Sequence, residues 1–277
     1  MYVYFEPQGG LNDILNGIKE ILEYCKMYNR ILLVNGMRTC YKINFSDYFD
    51  FSEEYKNIII LDTEKIKNIC INPDYKIYPN ELQDKMSDFL EDKKILTYSP
   101  HLNGFFLFEN ILLALPQGNV KEDIIIISKC GGGNGYTIFK EIIFHPHIIN
   151  IFHERYYKLS KPYLCIHIRN TDYKCDYVTF FSEHEQQIRS FNEIYIATDD
   201  VNAIKFYVNS GLQVKNFTTF PEKEEHSLHT SSINSHIKFI DMICDLLIIS
   251  HSHTIMSNSK GCYILLARAI KNGYWSW

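Results

Sequence analysis

The chain has 277 residues, 46% of them hydrophobic and 22% charged, with a formal net charge of −5. That length suits one large domain or two ordinary ones, and the composition suits a packed core rather than a disordered chain. The acidic balance excludes broad binding to nucleic acid or to an anionic membrane surface, which needs a basic excess.

Residues 2–5 are a short apolar run that stops at Pro7 and Gly9-Gly10, which predicts a strand and a tight loop. Leu11, Ile14, Leu15, Ile18, Ile21, Leu22 and Cys25 then fall at helical spacing. Residues 30–34 (RILLV) predict a second buried strand, so the chain opens with a βαβ unit. Residues 38–52 are aromatic and irregular, and residues 58–61 read as a third strand. Residues 62–95 are polar and mixed, residues 95–98 give a short strand, and residues 104–115 read as an apolar helix ended by Pro116-Gln117-Gly118. Residues 123–128 form another strand, which runs into the glycine loop Cys130-Gly131-Gly132-Gly133-Asn134-Gly135. Helical periodicity at 146–159 marks the domain boundary, with domains expected over 1–150 and 151–277.

In the second half, residues 163–168 predict a buried strand that ends in His167, Arg169 and Asp172. Residues 181–190 read as a polar helix and residues 193–197 as a strand ended by Thr198-Asp199-Asp200. A helix over 201–209, a weak strand near 213–217 and an apolar helix over 233–249 follow. Residues 254–256 form a last strand before Ser257-Asn258-Ser259, and residues 261–270 form the final helix. Strands alternating with helices in both halves predict doubly wound domains with parallel sheets.

Eight cysteines occur without a CxxC pair or a compact Cys/His cluster, which reads as free thiols in a reducing compartment. The N-terminus lacks a cationic segment followed by a long apolar one, and no run reaches the roughly 18 apolar residues that span a bilayer. A cytoplasmic protein without signal peptide or transmembrane segment is expected.

The chemistry-bearing residues gather at strand ends. Alternation puts His167 and Arg169 on one face of the strand end, and Asn170, Thr171 and Asp172 turn the chain away. Ligands of open α/β sheets bind outside the carboxyl ends of the strands, and an Arg fork matches phosphate oxygens two at a time. If the three strands are parallel neighbours, His167, Arg169, Asp172, Asp199, Asp200, Ser257, Asn258 and Ser259 surround one crevice. Ser257–Ser259 precede a helix whose first N–H groups suit an anion. Plain capping also explains Asp199-Asp200 and Ser257–Ser259. Tight turns likewise explain Gly9-Gly10 and Gly131–Gly133.

The order of these devices resembles the GDP-fucose-dependent fucosyltransferases of the α1,2, α1,6 and protein-O type. The shared features are His-x-Arg-x-x-Asp at His167, Arg169 and Asp172, and Ala-Thr-Asp-Asp at Ala197–Asp200. Ile-x-x-Asn-Ser at Ile255, Asn258 and Ser259, and Gly-Gly-Leu at Gly9, Gly10 and Leu11, complete the set. The likeness covers residues 155–277 and the first 35; residues 36–150 do not align.

The resemblance implies an α/β, GT-B-like fold of two doubly wound Rossmann-like domains with parallel sheets facing a central cleft. It implies inverting, metal-independent transfer of fucose from GDP-fucose to a glycan hydroxyl, with no cofactor. The C-terminal domain would hold the donor and the N-terminal domain would present the acceptor. Arg169 would hold the β-phosphate, with His167 beside the nucleotide. Asp245, or Asp241 one turn earlier, would accept from guanine, against the alternative that both are solvated helix positions. Gly9, Gly10, Asn170, Asp199, Ser257, Asn258 and Ser259 complete the substrate-binding set. The candidate bases are Asp13, Asp172 and Asp176, and Asp172 equally suits orienting Arg169. Many relatives carry a second Arg where Asn170 stands here, which leaves a phosphate contact to Lys174 or Lys260; Asp13 stands where many have Asn. The other readings are a glycosyltransferase of this fold using another nucleotide sugar, and a non-catalytic nucleotide- or glycan-binding protein.

Overall fold

The computed structural model describes residues 1–91, 95–98, 100–170, 174–222, 228 and 231–274. The chain divides into two compact units, Met1–His145 and Pro146–Trp277. The division falls at the start of a helix, earlier than the expected break after residue 150, and so leaves that helix whole.

In chain order the first unit forms β1 (Tyr2–Pro7), α1 (Leu11–Tyr28), β2 (Ile31–Val34), β3 (Phe49–Phe51), β4 (Ile59–Ile60), α2 (Thr63–Cys70) and β5 (Ile77–Tyr78). It continues with α3 (Met86–Leu90), β6 (Thr97–Tyr98), β7 (Phe106–Phe108), β8 (Ile111–Leu113), β9 (Ile124–Lys129), α4 (Tyr136–Phe139) and β10 (Ile142–Phe144). Its main sheet has the order β4-β2-β1-β9-β5, and every pairing in it is parallel. β1 and β9 lie at the centre and are buried almost throughout, which is why both read as continuous apolar runs rather than alternating ones.

The opening βαβ unit forms as expected. α1 buries Leu11, Ile14, Leu15, Ile18, Ile21, Leu22 and Cys25. It also seats Gly17 so close to β1 that a Cβ there would stand 2.5 Å from the Phe5 ring. Asn29 ends the helix in the left-handed conformation at φ 50. Arg30 belongs to the turn rather than to β2. It is only 2% exposed, and its guanidinium donates to the Glu122 carbonyl at 3.0 Å and to Asn119 Oδ1 at 3.1 Å. The buried charge is thereby matched with acceptors just before β9.

The middle of this unit departs from the sequence reading. Residues 104–115 are not a helix. They form the antiparallel pair β7–β8, with Phe106 opposite Leu113 and Phe108 opposite Ile111. Glu109 and Asn110 turn at φ 49 and φ 70. Two successive left-handed residues give the turn whose twist suits a two-residue hairpin, and no helix accommodates them. The mixed stretch 62–95 contains α2, capped by the Asp62 carboxylate on the Lys65 N–H at 2.7 Å, and also β5 and α3. The irregular stretch 38–52 contributes β3, which pairs antiparallel with β10.

The second unit forms α5 (Pro146–Tyr156), β11 (Leu164–Ile168), α6 (Tyr177–Arg189), β12 (Ile194–Thr198) and α7 (Val201–Asn209). β13 (Val214–Lys215), α8 (Ser235–His251), β14 (Thr254–Ser257) and α9 (Cys262–Ala269) follow. Its sheet has the order β13-β12-β11-β14, again parallel throughout. Leu164, Ile166, Ile168, Ile194 and Ile196 pack with Phe181, Ile188, Ala203 and Tyr207 of α6 and α7 on one side. α8 is buried on nearly every side from Phe239 to Ser250, which accounts for its uniformly apolar sequence. The protein is thus α/β with parallel sheets. Among the described residues no helix is long and apolar enough to cross a membrane. All eight cysteines are free, and burial lifts the Cys25, Cys70 and Cys244 thiols to about 12.

Candidate functional site

In the second sheet β11 lies between β12 and β14, so the three predicted polar strand ends are neighbours. The register sets Ile168 beside Thr198 and His167 beside Ser257. His167, Arg169, Asn170, Asp199, Asp200, Ser257, Asn258 and Ser259 therefore share one carboxyl edge. Asp172 and Thr171 lie outside the described residues.

His167 is 8% exposed. Its Nδ1 stands 3.0 Å from Ser257 Oγ, and that hydroxyl donates to the His167 carbonyl at 3.1 Å. With its single proton used there, the hydroxyl accepts from Nδ1–H, which leaves Nε2 a lone pair for an N–H or O–H donor. Burial, with the positive charges of Arg169 and Arg268, lowers the imidazole to about 4, so it is neutral near pH 7. The Tyr263 ring packs on it with centroids 5.7 Å apart.

Asn170 ties the neighbouring exits together. Its backbone N–H donates to Asp199 Oδ1 at 2.7 Å and its side-chain amide donates to Asp200 Oδ2 at 2.6 Å. The other Asp200 oxygen caps α7 through the Asn202 N–H at 2.8 Å. Asn170 Oδ1 accepts the Cys175 N–H at 3.0 Å. Asp176 is occupied as the cap of α6, accepting from the Val178 and Thr179 N–H groups at 3.1 and 2.9 Å.

On the β14 side, Ser257–Ser259 build a turn rather than the cap itself. Ser257 Oγ accepts the Ser259 N–H at 3.1 Å, Ser259 Oγ accepts the Gly261 N–H at 3.1 Å, and Gly261 is the residue that caps α9. A Cβ on Gly261 would stand 3.6 Å from Arg169 Nη1, which places the guanidinium against the first turn of α9. Both amide atoms of Asn258 are buried without a hydrogen-bond partner among the described residues. A buried amide left unpaired is costly, and it marks a place where a ligand's polar groups would be welcome.

Asp241 and Asp245 sit on α8 rather than on a strand end. Neither is solvated: they are 3% and 7% exposed. Asp245 accepts from the Tyr195 hydroxyl, and its other oxygen accepts from the Thr218 hydroxyl at 2.7 Å. Burial raises its carboxyl to about 6. Asp241 pairs with Arg155 at 2.5 Å and accepts the Thr219 N–H at 2.7 Å. The two carboxylates thus fasten the segment beyond β13, and Asn216 fastens it to β12 through the Ile196 carbonyl at 2.7 Å. Sequence reading missed Thr218, Thr219 and Asn216; only their position next to a weak strand could have drawn attention to them.

Gly9, Gly10 and Asp13 belong to the first unit. Gly9 turns at φ +90, where a Cβ would stand 2.8 Å from the Asp13 carboxylate and 2.9 Å from Cys130 Sγ. Asp13 accepts the Gly10 N–H at 3.1 Å, and the Cys40 thiol donates to the Gly9 carbonyl at 3.3 Å. The second glycine loop leaves the adjacent strand β9. Asn12 and Asn16 of α1 hold its Gly133 and Gly132 carbonyls at 3.1 and 3.0 Å. Among the described residues no group of three or more His, Cys, Asp or Glu side chains is placed to hold a metal ion.

No protein-family model matches the chain, and no curated protein matches its sequence. Solved structures do match. NodZ alpha-1,6-fucosyltransferase soaked with GDP-fucose has a TM-score of 0.61 at 12% identity, covering 98% of this chain and 93% of that one. NodZ from Bradyrhizobium gives 0.60 at 11% identity, over 97% and 92%. POFUT1 in complex with GDP gives 0.55 at 12% identity, over 98% and 94%. At such identities the likeness is one of fold: over nearly its whole length this chain has the fold of NodZ and POFUT1.

Proposed function

We propose that this protein is an inverting glycosyltransferase that transfers fucose from GDP-fucose to a glycan hydroxyl without a bound metal. The observation that carries the reading is the edge of the second sheet, where Arg169 stands with the turn before α9 and the buried Asn258 amide, which has no partner among the described residues. The fold shared with a structure soaked with GDP-fucose supports the choice of donor. The eight free thiols suit a reducing, cytoplasmic setting.

Transfer needs the leaving diphosphate stabilised as its charge develops, and Arg169 with the first N–H groups of α9 would do this. Neutral His167 would accept a hydrogen bond from the nucleotide through Nε2. Asp172 would orient Arg169 or take the acceptor proton, and Asp13 is the other candidate base. Asp176 is the weakest of the three, because its carboxylate already caps α6. Asp245 would serve the base side of the site through Thr218, whose hydroxyl it holds.

Thermal-shift measurements with GDP, UDP and dTDP test the donor class, since a ligand that binds the folded state raises its stability. GDP alone should raise the midpoint. Incubation with GDP-fucose and mixed glycans should then yield a fucosylated product of inverted anomeric configuration, unaffected by EDTA. Stabilisation by UDP or dTDP in place of GDP would overturn the donor. Loss of turnover in EDTA, restored by Mn²⁺, would overturn metal independence.

A further inference from the structure

The segment after β13 is fastened more firmly than a surface loop needs. Asn216 donates to the Ile196 carbonyl at 2.7 Å and accepts the Thr218 N–H at 3.0 Å. The Thr218 hydroxyl donates to Asp245 at 2.7 Å, and the Thr219 N–H donates to Asp241 at 2.7 Å. Two buried carboxylates of α8 are thus engaged in holding residues 216–219. An ordinary connecting loop runs over the surface and needs no buried charge to hold it. The side chain that this clamp fixes, between its bonded neighbours, is Phe217.

The sheet register says where that side chain lies. β13 runs parallel to β12, with Ile194 beside Val214 and Tyr195 beside Lys215. Asn216, bonded to Ile196, carries the chain one step further, so Phe217 stands at the carboxyl edge. Its ring packs on Tyr195 with centroids 5.7 Å apart and planes at 36°, and it is only half-buried. Tyr195 donates to Asp245 of α8, which places Phe217 on the α8 face of the sheet. His167 shares that face. It lies two residues after Cys165, the partner of Tyr195, and the Tyr263 ring packed on it donates to the Met242 carbonyl of α8 at 2.7 Å. Two strand intervals, about 10 Å, part the ends of β11 and β13. A ribose and its α-phosphate bridge that span, with the diphosphate at Arg169 and the base at Phe217.

We propose that Phe217 is the platform on which the base of the donor nucleotide stacks. The proposal rests on the guanine-nucleotide reading given above. A ring held rigidly by its neighbours binds a base through its flat face at little entropic cost. The test compares GDP with inorganic pyrophosphate by calorimetry, because pyrophosphate carries the diphosphate without the base. Phe217→Leu should weaken GDP about tenfold and leave pyrophosphate unchanged, whereas Phe217→Tyr should bind GDP as the wild type does. Nuclear magnetic resonance reads the same contact in the unaltered protein, where the carbon-bound proton of the guanine ring should move upfield when GDP binds. Unchanged GDP binding in Phe217→Leu, equal loss of GDP and pyrophosphate, or no upfield shift would each overturn the proposal. If the wild type binds GDP more tightly than pyrophosphate and Phe217→Leu binds it equally well, the nucleotide reading stands without this platform. If the wild type does not bind GDP, that reading fails and takes the platform with it.

Discussion

Both sheets end at their carboxyl edges in the same way, strand, turn, then helix, but their polar groups are used differently. In the first unit the edge is closed upon itself. Asp13 bonds Gly10, Asn12 and Asn16 hold the second glycine loop, and buried Glu6 pairs with Arg38 at 3.1 Å. In the second unit Asn170 binds its neighbours as tightly, yet among the described residues both amide atoms of Asn258 are left without a partner, and Arg169 stands against the start of α9. The same architecture therefore yields a locked edge in one place and an unsatisfied one in the other. Polar residues that satisfy each other make the fold, and polar residues left over make the site.

The sharpest way to break this contrast is Arg169→Ala. Loss of a preorganised contact to the leaving group should lower turnover with GDP-fucose by 100-fold or more, on the order seen for such electrostatic contacts. The thermal midpoint should stay near that of the wild type, and near-normal turnover would sink the site assignment. Asn258→Ala comes next. It should weaken GDP binding about tenfold and leave the midpoint unchanged or higher, because an unpaired buried amide costs about 1–3 kcal/mol. A midpoint several degrees lower would show the amide to be structural instead. On the locked edge the pattern should invert. Asn12→Ala leaves the Gly135 N–H and the Gly133 carbonyl without their partner, and should cost about 1–3 kcal/mol in urea unfolding while sparing GDP binding.

The smallest effect is a pH dependence carried by two buried groups of the second unit. Asp245 keeps its proton to about 6 when folded, whereas the unfolded carboxyl loses it near the ordinary value of 3.8. The folded state holds more protons between these values, so this group makes stability fall as pH rises through the window. His167 acts oppositely: folded it titrates at about 4 instead of 6.5, so it makes stability rise with pH over that span. The two slopes largely offset each other in the wild type. Asp245→Asn removes the falling one, and its stability should climb more steeply between pH 4 and 6 than that of the wild type, by on the order of 1–3 kcal/mol. Parallel denaturation curves for the two proteins across that range would show that Asp245 has no such shift.

Legibility followed the length and burial of each element. β1, α1, β9, β11, β12, α7 and α8 were readable because long apolar runs or clean helical spacing leave little choice. The β7–β8 hairpin was read as a helix because its apolar residues lie too close together to separate the two periods, and its Glu109-Asn110 turn has no glycine to announce it. α2, β5 and α3 are too short to show a period against polar surroundings. At the site, the residues of the three strand ends were visible from their order, whereas the anchoring of Asp241 and Asp245 was not, because Thr218, Thr219 and Arg155 are distant in sequence.

By itself the sequence determined the alternation of strands and helices, the two glycine loops and the polar strand ends, since each depends on local spacing and turn chemistry. Only the tertiary structure decided which of those ends are neighbours. Parallel pairing of β11 with both β12 and β14 makes one edge of His167, Asp199 and Ser257, and it also determines that Asn170 is spent on binding Asp199, Asp200 and Cys175. Spacing along a chain says where a side chain leaves its strand. Which partner it meets is set by strand order, and strand order follows from how the helices bury both faces of the sheet.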